Sequence, residues 1–329
     1  MSSAGITGET HLLSSERSDT IAERPRNVKN FFAHRLDVGA PGRCGRIFLP
    51  GGAQLCYTAG EGDELTVQQD NREILEAMCA AEREAGRLLL HAQGVLAESK
   101  TGHRDVVTEY DRRVQELLIR RFTELEPDSR FFCEENDRHD DLHAEKVFII
   151  DPIDGTMNFV RGFNHSCISA AFMRGGAVCA AAVYNPYVDE LFSAIRGEGA
   201  WLNGRPVRVS DAPLSESVVC VGTSPYDVSL ADRSFALAKA AFLAGLDIRR
   251  QGSAELDLCS VAAGRAGVYF ELGLSLWDYA AGMLIVEEAG GICRTVTGEA
   301  LPLTAEKSSM VAGGKQALKD FLALAEKLG

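Results

Sequence analysis

Four uninterrupted apolar residues, Val147-Phe-Ile-Ile150, run directly into Asp151-Pro-Ile-Asp154-Gly-Thr156. A short, continuously apolar run bounded by turn residues is the pattern of a buried strand, so two carboxylates leave the end of an interior strand together. Hard cations such as Mg²⁺ want several oxygen ligands. Two carboxylates three residues apart, with a carbonyl between them, can hold adjacent ions. Gly155 and Thr156 can then direct backbone N–H groups at an anion, above all where a helix starts. A plain turn, with Asp capping the next helix and Gly supplying the bend, would use the same residues.

The chain around this run reads as mixed blocks of helix and strand. Ile74, Met78, Ala81, Ala85, Leu88 and Ala92 recur at three-or-four spacing and paint one face of a long helix. Val114, Leu118, Phe122 and Leu125 mark a second helix, opened by Thr108 and Asp111 and stopped by Pro127. Strand patterns follow at Cys167 to Val183, around a Gly175-Gly176 turn, and at Val218 to Gly222; helices return at about 231–244, 254–264, 279–289 and 315–327. Blocks of this kind without a regular βαβ rhythm indicate layered α and β, not a doubly wound nucleotide fold. Residues 1–70 show no sustained period and are expected to form a poorly ordered leader; Glu9, Glu16, Asp19 and Glu23 argue against a mitochondrial targeting peptide there. The folded domain is expected over 71–329, with subdomains of about 71–212 and 213–329.

Charge narrows the function. The 329 residues carry a formal net charge of -13, which repels a nucleic-acid backbone. An acidic enzyme acting on an anionic ester must reverse its field locally, and divalent cations in a carboxylate cluster do this. The nine cysteines form no C-x-x-C pair and no zinc-finger spacing, and reduced thiols in a cytoplasmic protein are expected. No apolar run reaches the roughly 18 to 20 residues that span a bilayer, so no membrane partner is expected.

Two other phosphatase chemistries lack their residues. An aspartyl nucleophile of the haloacid dehalogenase kind needs its acid two positions on, and a cysteine nucleophile needs Arg six positions on, where Cys167 has Met173. Two further acid sites stand beside the first. Phe131-Phe-Cys-Glu134-Glu135 puts adjacent carboxylates after a strand-like run, and Trp277-Asp278 opens an apolar helix ending at Gly290-Gly291. Taken singly, these also read as an exposed acidic turn and a helix cap.

Together, Asp105-Val-Val-Thr108 with Asp111, Phe132-Cys-Glu-Glu135, Asp151 to Phe159 (DPIDGTMNF) and Trp277 to Gly291 (WDYAAGMLIVEEAGG) resemble the signature set of the inositol monophosphatase family, in order and over about residues 71–329. The resemblance implies an α+β fold, a layered αβαβα sandwich of the inositol monophosphatase and fructose-1,6-bisphosphatase type. It also implies a homodimer, Mg²⁺ at two or three ions per site, and sensitivity to lithium. By position, Glu134, Asp151, Asp154, Asp278 and the Ile153 carbonyl match metal ligands, and Asp111 with Thr156 matches the pair that orients and deprotonates water. Lys100 matches a basic residue near a mobile first loop. Gly155 and Thr156 match phosphate-binding amides, while Gly252, Ser253, Ala254 and Glu271 match substrate contacts, as Asp154 and Asp278 do in addition. Cys133 and Met157 depart from the family's usual Gly and Thr without removing a ligand.

The implied reaction is single in-line hydrolysis of a small phosphate monoester, with myo-inositol monophosphate as the first candidate on the strength of Asn158-Phe-Val160. Fructose 1,6-bisphosphate, histidinol phosphate and 3'-phosphoadenosine nucleotides are alternatives on the same scaffold. A catalytically idle regulatory relative is the alternative from another class, and four crowded like charges argue against it.

Overall fold

The computed structural model describes residues 44–48, 54–58, 67–102, 105–135 and 139–328. The chain divides into two units, Met1–Glu64 and Leu65–Gly329. In the first, β1 (Cys44–Phe48) pairs antiparallel with β2 (Gln54–Thr58), a ribbon inside the stretch expected to be a poorly ordered leader; the rest of that stretch up to residue 66 lies outside the described residues.

The second unit opens with α1 (Val67–Leu90), whose buried face is Ile74, Met78, Ala81, Ala85 and Leu89. Leu88 and Ala92, expected on that face, are half-buried at its margin. A short antiparallel pair, β3 (Ala97–Gly102) and β4 (Asp105–Thr108), leads into α2 (Glu109–Leu125). Thr108 caps α2 through a reciprocal box with Asp111, and Val114, Leu118 and Phe122 are buried from it.

A seven-stranded sheet follows: β5 (Arg130–Cys133), β6 (Lys146–Asp154), β7 (Cys167–Arg174), β8 (Ala177–Asn185), β9 (Glu190–Ile195), β10 (Gly199–Leu202) and β11 (Arg205–Pro206), adjacent in sequence order. The β5–β6 pair is parallel and the remaining neighbours are antiparallel. Between β6 and β7 the chain makes one turn and a half of helix, α3 (Thr156–Arg161).

A five-stranded sheet is built from β12 (Val218–Val221), β13 (Asp247–Arg249), β14 (Val268–Leu274), β15 (Ile292–Arg294) and β16 (Ser308–Gly313), in the order β13-β12-β14-β16-β15. Helices α4 (Ala231–Ala244), α5 (Ala254–Ala262), α6 (Ala280–Glu288) and α7 (Lys315–Glu326) complete the chain.

Three cores stack these elements as α, β, α, β, α. The first lies between α1 and α2 and one face of the seven-stranded sheet; the second holds α5 and α6 between the two sheets; the third lies under α4 and α7. This is the layered α+β sandwich. The middle layer explains why Ala280 to Val286 is buried all round and carries no polar face. In β6, Phe148 and Ile150 enter the first core, and Val147 and Ile149 the second. A strand covered on both faces cannot alternate apolar with polar residues, hence the uninterrupted run.

Phe148 stacks on Phe122 with ring centroids 4.5 Å apart and meets Phe172 at 4.8 Å. Truncation leaves a cavity that a sheet pinned on both sides cannot close, so Phe148→Ala should cost about 3–5 kcal/mol in urea unfolding; a loss under about 1 kcal/mol would show the first core to be loosely packed.

Glu82 is an exception within that core. It is 0% exposed, and neither carboxyl oxygen has a hydrogen-bond partner of normal geometry. Burial first, and then the Glu255 charge, push its pKa well above the ordinary 4.5. A raised acid pKa gives stability that is whole below the unfolded value and lost as pH rises toward the folded one. Glu82→Gln should therefore gain more in urea midpoint over the wild type at pH 8 than at pH 5. An equal shift at both pH values would refute the buried neutral acid.

Candidate active site

The parallel pairing of β5 with β6 sets Cys133 opposite Ile150, so β5 ends where Asp151 begins the last stretch of β6. Glu134 N donates to Ile150 O at 3.2 Å, which brings the Glu134 carboxyl within hydrogen-bond reach of Asp151. The acid loop is pinned from behind: Glu135 N donates to Gln115 Oε1 at 3.0 Å, and Gln115 Nε2 donates to Glu135 O at 2.8 Å. Beyond Asp151 the register with β7 shifts, the usual mark of a bulge that re-aims side chains. Ile153 N donates to Asp151 Oδ1 at 3.0 Å within this bend.

Asp154 reaches across to the start of α5. Its Oδ2 accepts from Ser253 Oγ at 2.6 Å and Glu255 N at 2.7 Å, and its Oδ1 from Ala254 N at 3.3 Å. Asp278 arrives from the other side, at the end of a 3₁₀ turn over Leu276–Asp278, and accepts from Ser275 N at 2.7 Å. Here the structure departs from the sequence expectation: Trp277-Asp278 does not open α6, which starts at Ala280, because Ser275 and Asp278 close a capping box around the turn before it.

The Thr156 hydroxyl lies 3.2 Å from Asp111 Oδ1 and 2.9 Å from Ile153 O. Asp111 Oδ2 is held by Thr108 N at 2.7 Å and by the Thr108 hydroxyl. Lys100 on β3 donates to Glu134 Oε1 at 2.9 Å and to Glu135. Glu271 on β14 accepts from Tyr269 OH at 2.9 Å and from Ser224 N. A cavity of about 200 Å³ has Asp154, Gly155, Gly252, Ser253, Glu271 and Asp278 in its wall. The larger hollow of about 510 Å³ beside Glu190 and Arg265 contains none of the expected acids.

The electrostatics of these groups share one cause. Burial first, and then Glu134, Asp154 and Asp278, push the Asp151 carboxyl well above the usual carboxylate range. Burial and the charges of Glu134 and Asp154 do the same to Asp278. Asp154 rises only to about 6, because the Ser253, Glu255 and Ala254 donors work against burial. Burial raises Asp111 to about 6 against its bond from Thr108. Glu135 is pushed up to about 7 by burial and Glu134. Burial opposes the charge on Lys100, but Glu134 and Glu135 hold it protonated.

The site gathers negative charge it cannot neutralise from within. Among the described residues, no three His, Cys, Asp or Glu side chains already close around one point as a finished ion cage. The donors are nevertheless all hard oxygens, and Glu134 and Glu135 already hold the Lys100 ammonium at their edge; both features suit Mg²⁺.

The model of the inositol monophosphatase family matches residues 70–328. The chain belongs to the inositol monophosphatase family. Family members are phosphatases, and this one is similar to the putative Nus factor SuhB of Neisseria meningitidis serogroup B, at 39% identity over 230 residues covering 69% of the chain and 88% of the relative. It is 35% identical to the inositol-1-monophosphatase of Rhizobium meliloti over 255 residues, 75% and 93% of the two chains. The solved IMPase of Thermotoga maritima superposes with a TM-score of 0.71 at 30% identity, over 78% of this chain and 98% of that one. No helix among the described residues of this family member is long and apolar enough to cross a membrane.

Several residues at the site are illegible in the sequence. The Asn158 side-chain amide donates to His165 O at 2.7 Å and Gln251 O at 2.8 Å, tethering α3 to the loop before α5. Glu255 Oε2 accepts from Gly282 N at 2.6 Å and joins α5 to α6. Arg250 lines the cavity, and its one signal was a basic pair, Arg249-Arg250, beside Gly252-Ser253 in an acidic chain.

Gly155 sits at φ +87°, and a Cβ there would lie 3.0 Å from Gly252 O. Gly162 has φ +68° with open space around it. Alanine at either position pays the left-handed penalty of about 1–2 kcal/mol, but Gly155→Ala should cost more because it also presses on backbone. Equal losses in chemical denaturation would mean that the α3 and α5 loops do not abut.

Proposed function

We propose that the chain is a Mg²⁺-dependent phosphomonoesterase acting on a small polyhydroxylated alcohol, with myo-inositol monophosphate as its reference substrate. The observation that supports this reading is that Glu134, Asp151, Asp154 and Asp278, from three segments of the chain, lie near enough to act on one another's charge, and that the Thr156 hydroxyl bonds Asp111. A protein kept only for its fold has no use for carboxylates that desolvate and repel one another. Glu134, Asp151, Asp154, Asp278 and Ile153 O would hold Mg²⁺, which when bound supplies Lewis acidity to a phosphoryl group.

The protein's own part is positioning and proton handling. A water donating to Thr156 Oγ1 is held at one end of the site; as its oxygen bonds to phosphorus, it passes a proton to Thr156 Oγ1 while the threonine's own hydroxyl proton moves to Asp111 Oδ1. The bond from phosphorus to the ester oxygen breaks on the opposite side, that oxygen takes up a proton from solvent water, Asp111 returns its proton to solvent, and alcohol and inorganic phosphate leave. The bend at Gly155-Thr156 seats the phosphate, and Glu271, Ser253 and Ala254 face the alcohol.

The relatives named Nus factor support a second reading, in which the same chain also binds a partner. Its formal charge of -13 favours protein over nucleic acid as that partner. Residues 71–329 would suffice for catalysis in either case.

Phosphate release from a panel of monoesters tests the first reading. Turnover should vanish in excess chelator and return with Mg²⁺. Asp111→Asn and Thr156→Ala should each lower kcat by about 10²–10⁴-fold, and the double variant should lose far less than the two costs summed, as groups acting in one relay do. Full activity in chelator, or near-normal kcat in both variants with an intact melt, would sink it.

A further inference from the structure

Asp154 meets the opening of α5, and Asp278 ends the 3₁₀ turn just before α6. One residue joins the two. Glu255 gives its backbone N–H to Asp154 Oδ2 at 2.7 Å, and its fully buried side chain runs the other way, to the first turn of α6, where Oε2 accepts from Gly282 N at 2.6 Å. Glu255 thus does for α6 what Asp154 does for α5.

The start of α6 depends on this contact. Internal bonding begins at Met283 N, which donates to Tyr279 O at 2.8 Å, and Tyr279 at the head of the helix makes no side-chain cap bond. Ala280 to Val286 is buried, so an unpaired Gly282 N–H would have no solvent to turn to. A Cβ on Gly282 would lie 2.5 Å from Glu255 Oε2, so the bare glycine leaves the room that the carboxyl fills.

Glu255 therefore grips Asp154 through its amide and the segment that carries Asp278 through its carboxyl, and it lies near enough to both acids to feel their charge. Mg²⁺ demands near-ideal octahedral geometry with ligands at about 2.0–2.1 Å, whereas Ca²⁺ accepts longer and less regular coordination. The spacing of two ligands matters more to the smaller ion.

We propose that Glu255 is a positioning residue: by tying α5 to α6 it fixes Asp154 against Asp278 and so sets the preference of the site for Mg²⁺ over Ca²⁺. This rests on the reading above, in which those acids hold Mg²⁺.

Calorimetric Kd values for Mg²⁺ and for Ca²⁺, taken on the full chain without substrate, test it through three variants. Glu255→Gln keeps an oxygen within reach of Gly282 N and removes the charge. Glu255→Asp keeps the charge and falls one methylene short, and Glu255→Ala removes both and leaves room for a water. All three retain the backbone N–H on Asp154. The wild type should bind Mg²⁺ more tightly than Ca²⁺. Glu255→Asp and Glu255→Ala should weaken Mg²⁺ by about 10–100-fold and Ca²⁺ by several times less, while Glu255→Gln stays close to the wild type for both ions. Either of the two shortened variants suffices if the other does not fold. A purely structural role would lower the melting midpoint and leave the ratio of the two Kd values where it was. That result, a wild type without preference for Mg²⁺, or a ratio shifted as far in Glu255→Gln as in Glu255→Asp would overturn the proposal alone. A wild type that takes up no Mg²⁺ at all overturns the metal-dependent reading, and this proposal with it.

Discussion

Everything in the main unit follows from β6 being buried on both faces. Phe148 and Ile150 need one covering layer, and Val147 and Ile149 need another, so the sheet cannot stand as the wall of a two-layer domain. The α1–α2 layer covers one side, and α5 with α6 cover the other. Those two helices are buried nearly all round, so they in turn require the five-stranded sheet, which requires α4 and α7. The layer count is the consequence of one strand's demand for burial, passed outward until helices with polar faces meet solvent.

The same burial makes the strand ends chemically useful. Where β5 stops beside β6, Glu134 and Asp151 come side by side, in surroundings that raise the free energy of every charge they carry. The fold relieves this cost unevenly. Asp154 gains the Ser253 hydroxyl and the first amides of α5, whereas Asp278 and Asp151 each gain one backbone N–H, from Ser275 and Ile153. Lys100 and Arg250 set charge of the opposite sign at the edges of this field.

Much of the site was legible because its residues lie in short local patterns. Asp151, Asp154, Gly155 and Thr156 are contiguous, Thr108 and Asp111 form a local box, and Glu134-Glu135 follow directly on a strand. Less legible was the position of Asp278: a helix start was expected, and a 3₁₀ turn closed by Ser275 stands there, since a local box and a helix opening share the same sequence signal. Leu89 replaces Leu88 at the centre of the α1 core because the face of a long helix is chosen by what packs on it, not by spacing alone.

The sequence by itself determined the buried strand, the acids at its end, the amphipathic faces of α1 and α2, and the net acidic charge. These depend on residues close together in the chain, where periodicity and turn chemistry act directly. Only the tertiary structure decided that Thr156 meets Asp111, that Asp154 caps a helix about a hundred residues further on, that Asn158 ties two loops, and that Arg250 shares a cavity wall with Glu271. Such contacts join segments brought together by the burial of apolar faces, and burial does not depend on distance along the chain; no local pattern records which polar groups it will leave facing one another.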